Sequence, residues 1–256
     1  MKRCSKARTQ PRCLEEVWNE MPNGTWEQLR DEQSSCYHCI RNRLREDQGG
    51  ICAYCEISLS PDNEQVAHFH PKSDTSTSYN WALDWENLWL ACKGGSQSWM
   101  QNSNYYCPPL PENLSCDEKK GNAILDGQVL KPGDIPAFPR IFRFEQFADS
   151  VMIRPDDAGC RSANVPIDKV EQTIIEFGLN CPRLARARLS SHRQIEQALK
   201  KLRLSGYVNQ DHALALLVRR HLGRTPDGNW RSFFTLVRWR LGNAAESYLH
   251  AIEFDG

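Results

Sequence analysis

Ile51-Cys52-Ala53-Tyr54-Cys55 opens a stretch, closed by Cys116-Asp117-Glu118-Lys119-Lys120-Gly121-Asn122, whose reading decides the fold. A gap of two residues lets both thiolates of a CxxC turn onto one ion at the tip of a knuckle. A partner pair must follow, and Cys92 and Cys116 are the best candidates. Each stands where the chain signals a turn, in Cys92-Lys93-Gly94-Gly95 and Ser115-Cys116-Asp117. Cys107, before Pro108-Pro109, competes with Cys116 as fourth ligand. Between the pairs, Gln65-Val66-Ala67-His68-Phe69-His70-Pro71-Lys72 reads as a short strand ended by proline. Side chains two apart share a face, which sends His68 and His70 the same way.

With Trp85-Glu86-Asn87-Leu88-Trp89-Leu90-Ala91-Cys92 added, the pattern becomes specific: CxxC, His-apolar-x-Pro, Asn-Leu before a cysteine, and Cys-Asp-x-x-Lys-Gly. It resembles the ββα-metal HNH endonucleases that carry a structural zinc. In particular it is similar to the HNH subunit of the Septu and retron anti-phage systems, the PtuB-like proteins. "GGICAYCE", "HFHPKS", "NLWLACKGG" and "SCDEKKGN" carry the likeness over residues 45–125, and a weaker echo covers 173–180 with Leu184 and Arg188. The resemblance makes His68 the general base, Asn87 the residue that orients its ring, Asp117 the ligand of a catalytic divalent ion, and Lys120 a neighbour of the phosphate. These roles agree with the chemistry of phosphodiester hydrolysis, which needs a nucleophile generated at neutral pH and a cation against charge on the leaving oxygen. An imidazole titrates in that range, and oxygen ligands suit Mg²⁺ or Mn²⁺. The family usually has Asp or Glu before the base, where this chain has Ala67. His70 is the substitute ligand, which would favour Mn²⁺ or Ni²⁺ over Mg²⁺. The set assigned to the catalytic ion is thus Asp117, His68 and His70, and that of the structural zinc is Cys52, Cys55, Cys92 and Cys116.

The whole chain sets the frame. Its 256 residues are 40% hydrophobic and 25% charged, ordinary for a globular protein. No apolar run approaches the roughly 20 residues that span a bilayer, and Met1-Lys2-Arg3-Cys4-Ser5-Lys6 leads into no apolar signal core, so the expected location is the cytoplasm, away from membranes. Eleven cysteines, an odd number in a long chain with a CxxC, argue for metal binding in a reducing compartment over a disulfide scaffold. The formal net charge is zero, yet residues 183–240 hold 13 Lys and Arg against 3 Asp and Glu. Arg183, Arg186, Arg193, Lys200, Lys201 and Arg203 are the candidates there for a phosphate backbone or an acidic partner face.

The expected fold class is α+β, mostly α. Residues 1–50 form an N-terminal arm and helices, 51–127 a zinc-containing HNH core, 128–165 a linker with a small hairpin, and 166–256 a helical C-terminal domain. The arm, residues 1–12, has five basic residues and no apolar period, and is expected to be flexible. Residues 13–21 make a short helix. Thr25 caps a second, through about Asp47, with Cys36, Cys39, Ile40 and Leu44 near one face. That places Cys36-Tyr37-His38-Cys39 inside a helix, where a CxxC cannot curl around an ion. Trp81, Trp85 and Trp89, at spacing four, read as aromatic core under the site, with a base-stacking platform as the other reading. His192, His212, His221 and His250 read as surface or core residues, and no phosphate-loop or dinucleotide motif occurs.

The function expected is a metal-dependent HNH endonuclease acting on nucleic acid, DNA ahead of RNA, as effector of an anti-phage complex. The resemblance implies a PtuA-like ATPase partner and, in a retron, the reverse transcriptase with its RNA–DNA product. The alternative is a zinc-stabilised adaptor or nucleic-acid-binding subunit with a degenerate site, for which Ala67 is the best support.

Overall fold

A computed structural model of the protein describes residues 1–96, 110–204 and 210–256, so Cys107 lies outside the described residues. The chain is mixed α/β and mostly helical. Helix α1 (Arg12–Glu20) buries Leu14 and Val17, and α2 (Trp26–Glu32) starts at the expected cap. Gln28 N donates to the Thr25 hydroxyl at 3.1 Å while Thr25 N donates to the Gln28 side chain at 2.8 Å, a reciprocal capping box. The single helix expected from there to Asp47 is in fact two. The chain breaks at Gln33 (φ −117°, ψ 48°) and α3 follows over Ser34–Gln48. The break redirects the chain so that Trp26 and Leu29 of α2, and Cys36, Ile40 and Leu44 of α3, enter one core. Cys39, expected near that face, is exposed. At 3.6 residues per turn it lies about 60° off the stripe set by residues 36, 40 and 44.

Strand β1 (Gln65–His68) pairs antiparallel with β2 (Leu88–Ala91), His68 standing opposite Leu88. Because β1 ends at His68, the alternation that would aim His70 the same way stops there. A short helix, α4 (Cys116–Lys120), follows. Residues 128–165 hold a second hairpin, β3 (Phe142–Gln146) with β4 (Val151–Pro155), whose alternate residues Phe142, Phe144, Val151 and Ile153 are buried. Helices α5 (Asp157–Ser162), α6 (Ile167–Glu176), α7 (Pro182–Leu204), α8 (Gln210–Leu222) and α9 (Phe234–Ala251) complete the chain.

One apolar core joins the N-terminal helices, the cysteine region, the second hairpin, α6 and the first turns of α7, through Leu184 and Leu189. A second cluster gathers Ile195 and Leu199 of α7, Val218 and Leu222 of α8, and Phe234 and Val237 of α9 around Trp230. The long α7 thus serves both cores.

Residues 1–12, expected to be a flexible arm, are fastened down. Met1, Lys2 and Cys4 are buried. Lys6 Nζ lies 4.2 Å from the ring centroid of Trp85 and 4.7 Å from that of Trp89, donating to the carbonyls of Trp85 and, at 2.7 Å, Leu88. Trp85 Nε1 donates to Ala7 O at 2.9 Å. A cation held over aromatic faces and capped by carbonyls is a partnership between residues about eighty positions apart, which local composition does not reveal.

Gly178 ends α6 at φ +54°, and a Cβ there would stand 2.5 Å from Leu114 O and 3.4 Å from Ser115 Cα. The left-handed backbone alone disfavours a side chain by about 1–2 kcal/mol. Gly178→Ala is expected to lose about 2 kcal/mol or more, lowering the melting temperature by roughly 4–8 °C. Differential scanning calorimetry checks this, and an unchanged melting temperature would show that the turn relaxes.

Candidate active site and metal centre

The knuckle after α3 brings Cys52 and Cys55 to one point, Cys92 follows β2 directly, and Cys116 begins α4. Their sulfurs are buried and lie within 4.8 Å of one another. Cys52 and Cys116 are 3.7 Å apart, Cys55 and Cys92 3.6 Å, and Cys92 and Cys116 3.7 Å. A disulfide needs about 2.05 Å. A tetrahedral ion with bonds of about 2.3 Å needs edges of about 3.8 Å. The four cysteines could therefore hold a structural metal such as zinc. Burial pushes the thiols of Cys55 and Cys116 well up, whereas Cys52, against its own burial, is held well down by S–H donors from Cys116, Cys55 and Cys92. A divalent cation would be held by all four as thiolates, with release of their protons. Arg183, among the residues expected at a phosphate backbone, instead reaches inward, its Nη2 donating to Ser115 Oγ at 2.6 Å beside Cys116.

His68 closes β1 and is only 7% exposed. Its ring meets Trp26 edge to face at 4.8 Å, and Nε2 donates to Ala82 O at 3.0 Å. A carbonyl can only accept, so the proton sits on Nε2 and Nδ1 presents a lone pair. Burial pushes the His68 pKa down to about 4; the Ala82 carbonyl opposes this, and Lys72 and Lys120 add to it. The ring is neutral at pH 7.

The orienting bond expected from Asn87 to this ring is not among those of the described residues. Asn87 Oδ1 instead accepts from His70 N at 2.7 Å, while Nδ2 donates to His70 O at 2.9 Å and Trp81 O at 2.8 Å. It fastens together the segments on either side of the ring, one following His68 and the other preceding Ala82.

His70 departs from expectation too. Its Nδ1 lies 2.7 Å from Asp126 Oδ2 and its Nε2 2.9 Å from Asp74 Oδ2, with the ring stacked on Trp81 at 4.0 Å. Both nitrogens are engaged. In this arrangement each nitrogen of His70 faces a carboxylate in the place where an ion would sit.

Asp117, second residue of α4, accepts from Gln65 Nε2 at 3.3 Å and lies 3.7 Å from Lys120 Nζ. Burial raises its carboxyl to about 6, against the pull of Lys120. Lys72 and Lys120 both act electrostatically on His68 and on Asp117. Among the described residues the cysteines are the only group of three or more His, Cys, Asp or Glu side chains placed to hold a metal.

Sequence reasoning missed four groups: Gln65, Asp74, Asp126 and the Ala82 carbonyl. A backbone carbonyl leaves no mark in a sequence, and Asp126 is 56 residues from the histidine it holds. Only Asp74, four residues after His70, carried a local signal.

No family model matches the chain. It is 34% identical over 188 residues to an Escherichia coli protein named "Retron Ec83 putative HNH endonuclease", covering 65% of this chain and 70% of that protein. It is 25% identical over 142 residues to the "Retron Vc95 putative HNH endonuclease" of Vibrio cholerae serotype O1 biovar El Tor, covering 52% of this chain and 62% of that one. Among the described residues, no helix is long and apolar enough to cross a membrane. With that identity carried over most of both chains, the protein belongs to the retron HNH endonuclease family and is a nuclease.

Proposed function

We propose that the protein is a metal-dependent endonuclease whose active site is His68, Asp117 and Lys120 on a ββα-metal unit made of β1, β2 and α4, stapled by zinc at Cys52, Cys55, Cys92 and Cys116. The observation that carries this is the His68 ring, fixed through Nε2–H on the Ala82 carbonyl with Nδ1 left as an acceptor. In that tautomer Nδ1 takes the proton from the attacking water. Asn87 acts at one remove, tying the chain at residue 70 to residue 81 so that His68 and the Ala82 carbonyl keep their geometry. Lys120 holds the phosphate oxygens, and Lys72 adds positive charge beside them. A divalent ion at Asp117, when bound, neutralises charge on the departing oxygen.

The retron names of the relatives support a retron context for this chain; a defence role, a PtuA-like ATPase and a retron reverse transcriptase as partners, and DNA as first substrate to try, are part of the same proposal. The adaptor reading has one observation in its favour. Ala67, where the family usually has a carboxylate, is fully buried opposite Trp89, a setting without water for an ion. Incubating the protein, alone and with the ATPase, with plasmid and RNA in Mg²⁺ or Mn²⁺ decides between them. Ion-dependent cleavage supports the nuclease, and silence in every combination leaves the adaptor.

Asp117 should reveal its role in stability. Its folded pKa, about 6, lies above the ordinary 3.8, so the fold favours the protonated form. That contribution is complete below about pH 4 and lost as pH rises through 6. At neutral pH the ionised carboxylate then costs up to about 3 kcal/mol. Asp117→Asn is expected to abolish cleavage yet melt higher than wild type at pH 7 without added Mg²⁺ or Mn²⁺. A variant no more stable than wild type would mean that Lys120 already compensates the burial.

A further inference from the structure

Next to His68 lies a cleft of about 530 Å³, between the turn leading into α2 and the loop over residues 72–82. We propose that it takes an unpaired nucleobase of the substrate, so that the enzyme works on single-stranded nucleic acid, or on a strand it can locally open. The inference rests on the nuclease reading and names the substrate class of that site.

Position comes first. Trp26 and Ala82 line the cleft, and they are also the groups that hold the His68 ring, one by its edge and the other by its carbonyl. Lys72 lines it too, and its charge acts on both His68 and Asp117. A base in the cleft would therefore have its own phosphate beside Lys72, at the candidate catalytic groups. Lys72 is now paired with Glu27 across the cleft, and both side chains are partly exposed. Such a surface pair holds at most about 1 kcal/mol, and a phosphate can replace its carboxylate.

The lining matches a base better than a peptide. Tyr79 is 46% exposed although its ring is steadied by Trp81 at 4.7 Å and Trp18 at 5.9 Å. A fixed aromatic ring left open to solvent is a stacking platform, and every base has a π-face to offer it. The remaining walls are polar, with Ser73, Thr75 and Ser78 able to donate to or accept from base edges. A volume near 500 Å³ suits a nucleotide-sized ligand. A base stacked within a duplex cannot reach such a cleft without leaving its partner, which requires an unpaired or extruded nucleotide. Of the three tryptophans at spacing four, Trp85 and Trp89 are core, whereas Trp81 is half-buried and lines this cleft.

The test uses full-length His68→Gln protein, which should bind without cleaving, and oligonucleotides carrying 2-aminopurine as DNA single strand, RNA single strand and duplex. Single strands are expected to bind tighter than duplex with quenching of the 2-aminopurine, and the arm that binds better identifies the natural sugar. Tyr79→Ala, added to this protein, should weaken binding about 5- to 150-fold, since stacking contributes about 1–3 kcal/mol per base. Tyr79→Phe should restore it. Equal affinity for duplex, or a Tyr79→Ala protein that binds single strands unchanged, overturns the proposal. The nuclease reading fails separately: quenched, Tyr79-dependent binding by a wild type that never cleaves leaves the cleft standing and sinks the catalysis.

Discussion

His68→Gln is expected to cut cleavage by roughly 10²–10⁴-fold, the usual effect of removing a general base, while metal content and fold stay intact. Glutamine suits the test better than alanine. The ring is 7% exposed and packed on Trp26, so truncation to alanine would open a cavity and mix a folding defect into the rate. A glutamine amide can still donate to the Ala82 carbonyl but cannot take a proton. The pH profile gives an independent reading. Burial holds the His68 pKa near 4, so the base is already unprotonated across neutrality, and the acid limb of kcat/KM nearest neutrality should be that of the Asp117 carboxyl, near 6. An acid limb near 6.5 that does not move to lower pH as Mg²⁺ is raised, as proton–metal competition for Asp117 requires, would assign the base to a solvent-exposed histidine instead. Asn87→Ala should also slow cleavage, through displacement of residues 70 and 81, with the pH profile unchanged. Undiminished cleavage by His68→Gln would remove His68 from the mechanism altogether.

How much of this was legible in the sequence depended on the distance between partners. The CxxC, the cap at Thr25, and the C-terminal helices are written in short spacings, and each reads directly from a period or a turn. The histidine environment is not. His68 is held by a main-chain carbonyl 14 residues away, and His70 by a carboxylate 56 residues away. Nothing local marks either. The N-terminal arm misled for the opposite reason. Its lysines suggest solvent or phosphate, but Lys6 finds two tryptophans and two carbonyls on β2 and its approach, a site that only the folded chain assembles. The helix expected over residues 25–47 failed at Gln33 because an uninterrupted apolar period cannot show that the two halves face the core at different angles. Arg183, counted with a basic surface from its neighbours in sequence, turns inward because Ser115 waits beside Cys116.

Replacing any one of Cys52, Cys55, Cys92 or Cys116 with serine should have the largest effect of all: loss of bound metal, loss of the folded state and, as a consequence, loss of cleavage. Apparent zinc-binding energies at structural sites are about 10–16 kcal/mol, whereas a typical domain is stable by about 5–15 kcal/mol in total. An ion held that tightly is most of the stability of the region it joins. Here it would join four separate pieces of chain: the knuckle after α3, the end of β2, the head of α4 and, through Arg183 and Ser115, the start of α7. Asp117 and Lys120 sit on α4 itself, so a lost staple disperses the candidate catalytic residues along with the fold. Without the ion, burial already disfavours ionised sulfur at Cys55 and Cys116, and serine in either place leaves a buried hydroxyl facing thiols. Cys39→Ser supplies the control, because Cys39 is exposed on α3 and should change neither metal content nor melting temperature. Elemental analysis of natively purified protein should find one zinc per chain, and chelation at elevated temperature should unfold the wild type as the serine variants are unfolded from the start. A metal-free native protein, or a Cys116→Ser variant that melts with the wild type, would leave four thiols at tetrahedral spacing with no ion to explain them.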